Sequence, residues 1–287
     1  MTTTSIFVAR NFHDEAVVSA SEAAANFPVT NTQIDGRSRA WRSLGAGTVT
    51  LSGTFTRPRV VDYFAMLRHQ NHGGKIRVQL FTDAAWSTVA IGGDPMGAGG
   101  ADINKIVGNS TDSAFAWGDD PYGIGEYDPL LVESPYWYRF VAPVVMRSYK
   151  ITLSAHSSTF WPGAFWHIGR LWLGLSYDAN KIRFGPSNGW QDNTEATRTR
   201  GGTLRTNLGN RWRVLKFDWF MLSPAQQSTL LDMLAYCQRG RGVLMSLDDG
   251  DGTRMERDGI INGKLVALNA IGRPVRIFEH SMALEET

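Results

Sequence analysis

Cysteine is almost absent from the chain: Cys237 stands alone among 287 residues. No internal disulfide can form, so stability must come from packing. That usage suits folding in a reducing compartment. Net charge is small too, with 29 Lys and Arg against 27 Asp and Glu. A formal +2 makes no electrostatic case for nucleic acid or a membrane surface as partner. No apolar run is long enough to cross a bilayer. The start, Met1 to Arg10, lacks a basic segment followed by a long apolar one, so no signal peptide is expected. A role outside a cell would then need export within an assembly, or lysis.

Signatures of chemistry are also lacking. No Gly-x-Ser-x-Gly, phosphate-binding loop or dinucleotide fingerprint occurs. Gly123-Ile124-Gly125 misses its third glycine. Asp119 and Asp120 could pair as glycosidase carboxylates, but they sit in a Gly-Asp-Asp-Pro turn. Counted from Asp249, a calcium loop would need Gly and Glu where Arg254 and Ile260 stand. His69 and His72 have no cysteine or second pair to complete a zinc site and read as loop residues. The expectation is a protein without catalytic residues, metal or cofactor.

Glycine, in contrast, is plentiful at 30 residues, and tryptophan at 10. Glycines between short strand-like runs favour an all-β chain. Thr48 to Phe55 and Lys75 to Phe81 alternate with period two, and Val60 to Leu67 is a second apolar run. Ser134 to Val141 and Val144 to Leu153 read as two further strands. Trp166 to Gly174 reads as the last strand of a first domain running into a hinge. Beyond it, Arg211 to Phe220 is apolar in part on both faces, which predicts a strand covered on both sides over part of its length. One helix is expected near 223–238. Ser223 is its cap, Pro224 its first position and Gln226 completes a capping box. Leu230, Met233, Leu234 and Cys237 form its apolar stripe. Asn262-Gly263 reads as a tight hairpin turn. The fold class expected is all-β with one helix: a β-sandwich over 1–174, then a smaller β domain over 175–287.

A Gly-rich segment, 91–130, interrupts the first domain. Segments of this length are functional loops or disordered ones. Its Trp117, Tyr122 and Tyr127 are candidate contacts for a glycan or a protein partner, or else rings that tuck back onto the sandwich.

Ser19-Ala20-Ser21-Glu22, Phe27-Pro28 with Asn31, Asp35-Gly36, Trp41-Arg42-Ser43, and Tyr149 to Leu153 with Ile168 to Gly174 resemble the galactose-binding-like jelly rolls, which include discoidin-type domains. The resemblance implies that Trp41 fills the core below the opening loops and that the last strands close the sandwich. It also offers a structural cation beside Asp35-Gly36 as an alternative to a plain turn. The terminal cysteine pair of extracellular members is missing. Arg200-Gly201-Gly202, the helix after Leu222-Ser223, Arg239 to Gly242 and Leu247-Asp248 resemble the belt domain of siphophage distal tail proteins. That resemblance implies a virion structural protein of the tail tip or baseplate, made in the host cytoplasm. Its partners would be itself in a ring, as a hexamer, with the tail tube protein and the tail tip or hub proteins. Arg198, Arg200, Arg205, Arg239 and Arg241 are then candidate ring-interface residues, where charge fixes register, or else a solvated face. Distal tail proteins place a second sandwich after the belt or inserted in it, whereas here it is read as preceding it. The alternative function is a carbohydrate-binding module for host cell-surface attachment. Nucleic acid and membrane insertion are not expected.

Overall fold

The structure is a computed structural model. It describes residues 4–36, 38–69, 74–103, 134–154, 165–178, 187–198, 204–207, 209, 211–237, 240–249, 260–268 and 278–286. The strands in chain order are β1 (Thr4–Val8), β2 (Val17–Ala20), β3 (Trp41–Arg42), β4 (Val49–His69), β5 (Lys75–Phe81), β6 (Ala101–Asp102), β7 (Ser134–Ser154) and β8 (His167–Gly174). They continue with β9 (Ser176–Asp178), β10 (Ser187–Asp192), β11 (Glu195–Arg198), β12 (Leu204–Asn207), β13 (Arg211–Leu222), β14 (Gly242–Asp249), β15 (Ile260–Leu268) and β16 (Phe278–Glu286). The α-helix among the described residues, α1, spans Pro224–Cys237. The chain is thus all-β with one helix, and it divides into two compact units.

One unit holds residues 11–176 with 250–258. Its strands run in the antiparallel order β3-β8-β4-β7-β5-β6, with β2 added on β4. Two strands of 21 residues, β4 and β7, organise it. Each was expected as two separate runs. Each is instead one bent strand, and the pairing register shifts between Thr54 and Arg59 and between Val61 and Tyr63. Pro58 and Pro143 lie at these irregularities, where a residue without an N–H costs the ladder least. One half of the long pair carries β2 and β5, and the other carries β8. The bend therefore makes two layers, and a single apolar core lies between them. Val49, Leu51, Phe64, Met66, Ile76, Val78, Ile151 and Leu171 all enter that core. Gly53 faces Tyr149 across the ladder, and a methyl group on Gly53 would run into the Tyr149 ring. The Gly-rich segment is not wholly outside the sheet, since β6 falls within 91–130 and pairs with β5. His69 is a fully buried residue of β4 rather than a loop residue.

A polar network ties the start of this unit to β8. Arg170 is 2% exposed. Its two Nη groups reach the carboxylate of Asp14, with Nη1 at 2.7 Å, and Nη1 also donates to the Thr32 carbonyl at 3.1 Å. Its Nε lies 3.1 Å from Asp35. Arg170 is the buried member, while Asp14 and Asp35 keep partial contact with water at 36% and 22% exposure, so losing either acid leaves a buried guanidinium short of a partner. Beside it, His13 is buried between the Tyr149 hydroxyl at 2.6 Å and Thr32 Oγ1 at 2.8 Å. Asn11 accepts from the amides of His13 and Leu173 and donates to the Leu171 carbonyl.

The other unit holds residues 1–10, 177–249 and 259–287. Its sheet runs β10-β13-β16-β15-β14-β1-β9. The first ten residues were assigned to the sandwich from sequence, which is corrected here. β1 pairs with β14, Phe7 opposite Met245 and Val8 opposite Leu244. Ser5 to Val8 are all buried and carry no label of the sheet they join, so the long-range partner decided it. The sandwich is therefore inserted in the chain between β1 and the rest of its sheet. The capping box forms as the sequence implies: the Ser223 amide donates to Gln226 Oε1 at 2.9 Å and the Gln226 amide to Ser223 Oγ at 3.3 Å. Leu230, Leu234 and Cys237 of α1 pack on Phe7, Leu215, Met245 and Ile261. Val214 and Leu215 are both buried while Lys216 and Asp218 are exposed, so β13 is covered on both faces over part of its length. Asn262-Gly263 is not a turn. Gly263 sits inside β15 between Val243 and Glu286, and its missing side chain admits the backbone of Glu285.

His13 links the network to pH. Burial, then the nearby Arg170 charge, lowers its pKa from 6.5 to about 3. The folded protein therefore holds His13 neutral where the unfolded chain would protonate it. Its contribution is complete above pH 6.5 and declines as pH falls from there towards 3. At pH 5 the loss is about 2 kcal/mol. Urea unfolding at pH 7.5 and pH 5 should show a loss about 2 kcal/mol larger in the wild type than in His13→Asn, a difference in which the contributions of His167 and Asp14 cancel. Equal slopes would remove His13 from the account.

Candidate functional site

Three segments of the sandwich unit meet at β3, and hydrogen bonds fix their positions. The Trp41 indole donates to the Glu22 carbonyl at 3.1 Å, and Glu22 Oε1 accepts from the amides of Leu44 and Gly45 at 3.2 and 3.3 Å. The Arg42 carbonyl accepts from the Ala24 amide at 2.9 Å, and its amide donates to the Phe27 carbonyl at 3.4 Å. Ser43 and Trp166 exchange two bonds, amide to carbonyl at 3.0 Å and amide to hydroxyl at 2.6 Å. The Trp166 indole donates to the Gly47 carbonyl at 2.7 Å. Trp41 and Trp166 are both fully buried. They form an apolar floor whose only polar atoms are satisfied, as buried indoles require.

Arg42, on the other face of β3 from Trp41, stands opposite His167 in the β3–β8 ladder. Its guanidinium lies 4.2 Å from the Phe27 ring centroid and 5.1 Å from that of Phe165. Both rings and Arg42 itself are half-buried. The Arg42 Nε donates to His167 Nδ1 at 3.1 Å. A guanidinium cannot accept, so Nδ1 must be the acceptor and the imidazole proton resides on Nε2. Burial, then the charges of Arg42 and Arg68, lowers the His167 pKa to about 4. The result is an edge of two aromatic rings, a guanidinium and a neutral imidazole. Groups of this kind can stack and hydrogen-bond.

Trp117, Tyr122, Tyr127, Arg200 and Arg239 fall outside the described residues, as do Asp119 and Asp120. Arg198 and Arg205 are brought close, on β11 and β12, where Arg198 faces Leu204 and Thr197 faces Arg205. Arg241 is exposed after α1, and its guanidinium lies 4.2 Å from the Tyr236 ring. Among the described residues no three His, Cys, Asp or Glu side chains are grouped to hold a metal. Arg42 was missed as a binding residue although its motif had been singled out. Phe165 carries no local signal and joins the site only through the β3–β8 pairing.

No family profile and no curated protein matches the sequence. Solved structures similar to this chain include the family 32 carbohydrate-binding module of C. perfringens NanJ in complex with galactose. That likeness has 13% identity and a TM-score of 0.38, over 60% of this chain and 99% of that one. A second is the CpGH89 module CBM32-5 of Clostridium perfringens, in complex with GalNAc-β-1,3-galactose, at 9% identity and TM-score 0.37, over 56% and 95%. A third is a putative α-L-fucosidase from Bacteroides thetaiotaomicron, at 11% identity and TM-score 0.38, over 58% of this chain and 29% of that one. None of these likenesses assigns a ligand here.

The state of His167 is open to measurement. Its ring nitrogen shifts, followed by NMR, should report a neutral Nε2–H imidazole at pH 6 and a midpoint near 4. Arg42→Gln should raise that midpoint, because one of the charges that lowers it is gone. A midpoint near 6.5 in the wild type would contradict the buried Arg42–His167 pair.

Proposed function

We propose that the protein is a non-catalytic saccharide-binding protein whose sandwich unit binds at the Arg42 edge. The observation that carries this is the convergence of Phe27, Phe165, Arg42 and His167 on one rigid, half-buried edge. Saccharide sites combine aromatic surface, which covers the apolar face of a pyranose, with fixed polar groups that select its hydroxyls. Rigidity matters because the ordering of long side chains opposes binding, and here Arg42 is ordered in advance.

A second reading is an assembly role in a long-tailed phage, as a distal tail or baseplate component located at the virion tail tip. It is favoured by one observation: β1 completes the sheet of the helix-bearing unit, so the sandwich is inserted in that unit's chain. Insertion in the belt is one of the two arrangements that the resemblance to distal tail proteins implies. The two readings are compatible, since an attachment protein presents its binding unit on a carrier. In this reading the chain assembles with itself as a ring, and its neighbours are the tail tube and tip proteins.

A glycan array probed with the full chain, with light scattering on the same sample, tests both. The expected results are binding to at least one saccharide class, reduced tenfold or more by Phe27→Ala, and a mass six times that of the monomer. An array without any signal would remove the saccharide reading. A monomer at every concentration would count against self-assembly in solution.

A further inference from the structure

We propose that the Arg42 edge takes a carboxylate-bearing saccharide, whose carboxylate is received by the two Nη groups of Arg42. This rests on the saccharide-binding reading above and adds the class of sugar. Three features of the guanidinium lead to it.

Its position is fixed from several directions. The backbone of Arg42 is held by Ala24 and Phe27, and the rings of Phe27 and Phe165 lie against the side chain. The conformational entropy that a free arginine loses on binding is already lost in the fold. Its hydrogen-bonding capacity is divided unequally. The Nε–H is spent on His167. Among the described residues, the Nη groups have no hydrogen-bond or ion-pair partner. What remains is the outer fork of the guanidinium, whose planar pair of N–H groups matches a planar carboxylate in a bidentate arrangement. The local charge is positive. Arg42 and Arg68 both act on His167, two cations against the one carboxylate of Glu22, which accepts from the amides of Leu44 and Gly45. A cation stacked on aromatic rings is partly desolvated, which strengthens a charge-assisted bond relative to one with a neutral hydroxyl.

The test is calorimetric titration of the full chain with galacturonate and glucuronate trisaccharides. Each is compared with its methyl ester, with the neutral parent trisaccharide and with a sulfated parent. The expected result is tenfold or tighter binding of a free uronate than of its ester. Arg42→Lys, which keeps the charge but loses the fork and the stacking, should bring that uronate to the level of the ester, with the circular dichroism spectrum of the wild type. The comparison between acid and ester uses the wild type alone, so it stands even if the variant fails to fold. Equal binding of acid, ester and neutral sugar would overturn the acidic class and leave the saccharide reading intact. Preference for the sulfated sugar would overturn the carboxylate in favour of another anion. Unchanged uronate binding by a folded Arg42→Lys would overturn Arg42 as the receiver. No uptake of any of these sugars would overturn the inference, and an empty glycan array beside it would overturn the saccharide reading as well.

Discussion

The sandwich depends on one buried charge. Arg170 is a central residue of β8, closed to water, and is neutralised by Asp14 and Asp35 from the segment that precedes the long strands. A guanidinium in that position without its partners would be strongly unfavourable. The pair therefore specifies more than it stabilises, because the chain from Asn11 to Asp35 has one place in which its carboxylates and carbonyls meet this charge. Thr32 contributes at two points, its carbonyl to Arg170 and its hydroxyl to His13. His13 in turn reaches Tyr149, whose ring covers Gly53 on the neighbouring strand. Through these contacts a polar network at the edge of the fold is continuous with the apolar core.

The Arg42 edge inherits its geometry from that arrangement. Phe27 lies between the two segments that hold Asp14 and Asp35, and β3 follows directly after them. Residues 165–167 lead straight into β8, the strand of Arg170. The rings of Phe27 and Phe165 come from opposite ends of the unit's sequence, and they meet only because β3 and β8 pair. Binding chemistry on a loop is useful when the loop is held as firmly as a strand. Here the hydrogen bonds of Trp41, Ser43 and Trp166 supply that rigidity.

Local patterns were readable from the sequence wherever a local rule applies. The capping box at Ser223 and Gln226 and the alternation of Lys75 to Phe81 follow from chemistry within a few residues, whereas the burial of Trp41 was implied by the resemblance to the jelly rolls. Non-local decisions were not readable. Ile6 to Val8 look like any short strand, and only pairing with Leu244 to Ser246 assigns them to the second sheet. Asn262-Gly263 has the composition of a turn, but its glycine serves a close approach of backbone within a sheet. Thr48 to Phe55 and Val60 to Leu67 read as separate runs, as did Ser134 to Val141 and Val144 to Leu153, whereas each pair is one continuous strand with a proline at its irregularity. The binding edge was half legible: Trp41-Arg42-Ser43 stood out as a motif, but Arg42 gains its role from Phe165 and His167, more than 120 positions away. Attention to exposed aromatic rings led instead to Trp117, Tyr122 and Tyr127.

Hydrogen–deuterium exchange of the full chain, with and without the saccharide that gives the strongest array signal, tests the central claim most directly. Slower exchange in the segments 24–28, 41–45 and 165–168 is the predicted result, with the helix-bearing unit unchanged. Protection confined to other segments, or none on addition of saturating sugar, would contradict a saccharide site at the edge of β3.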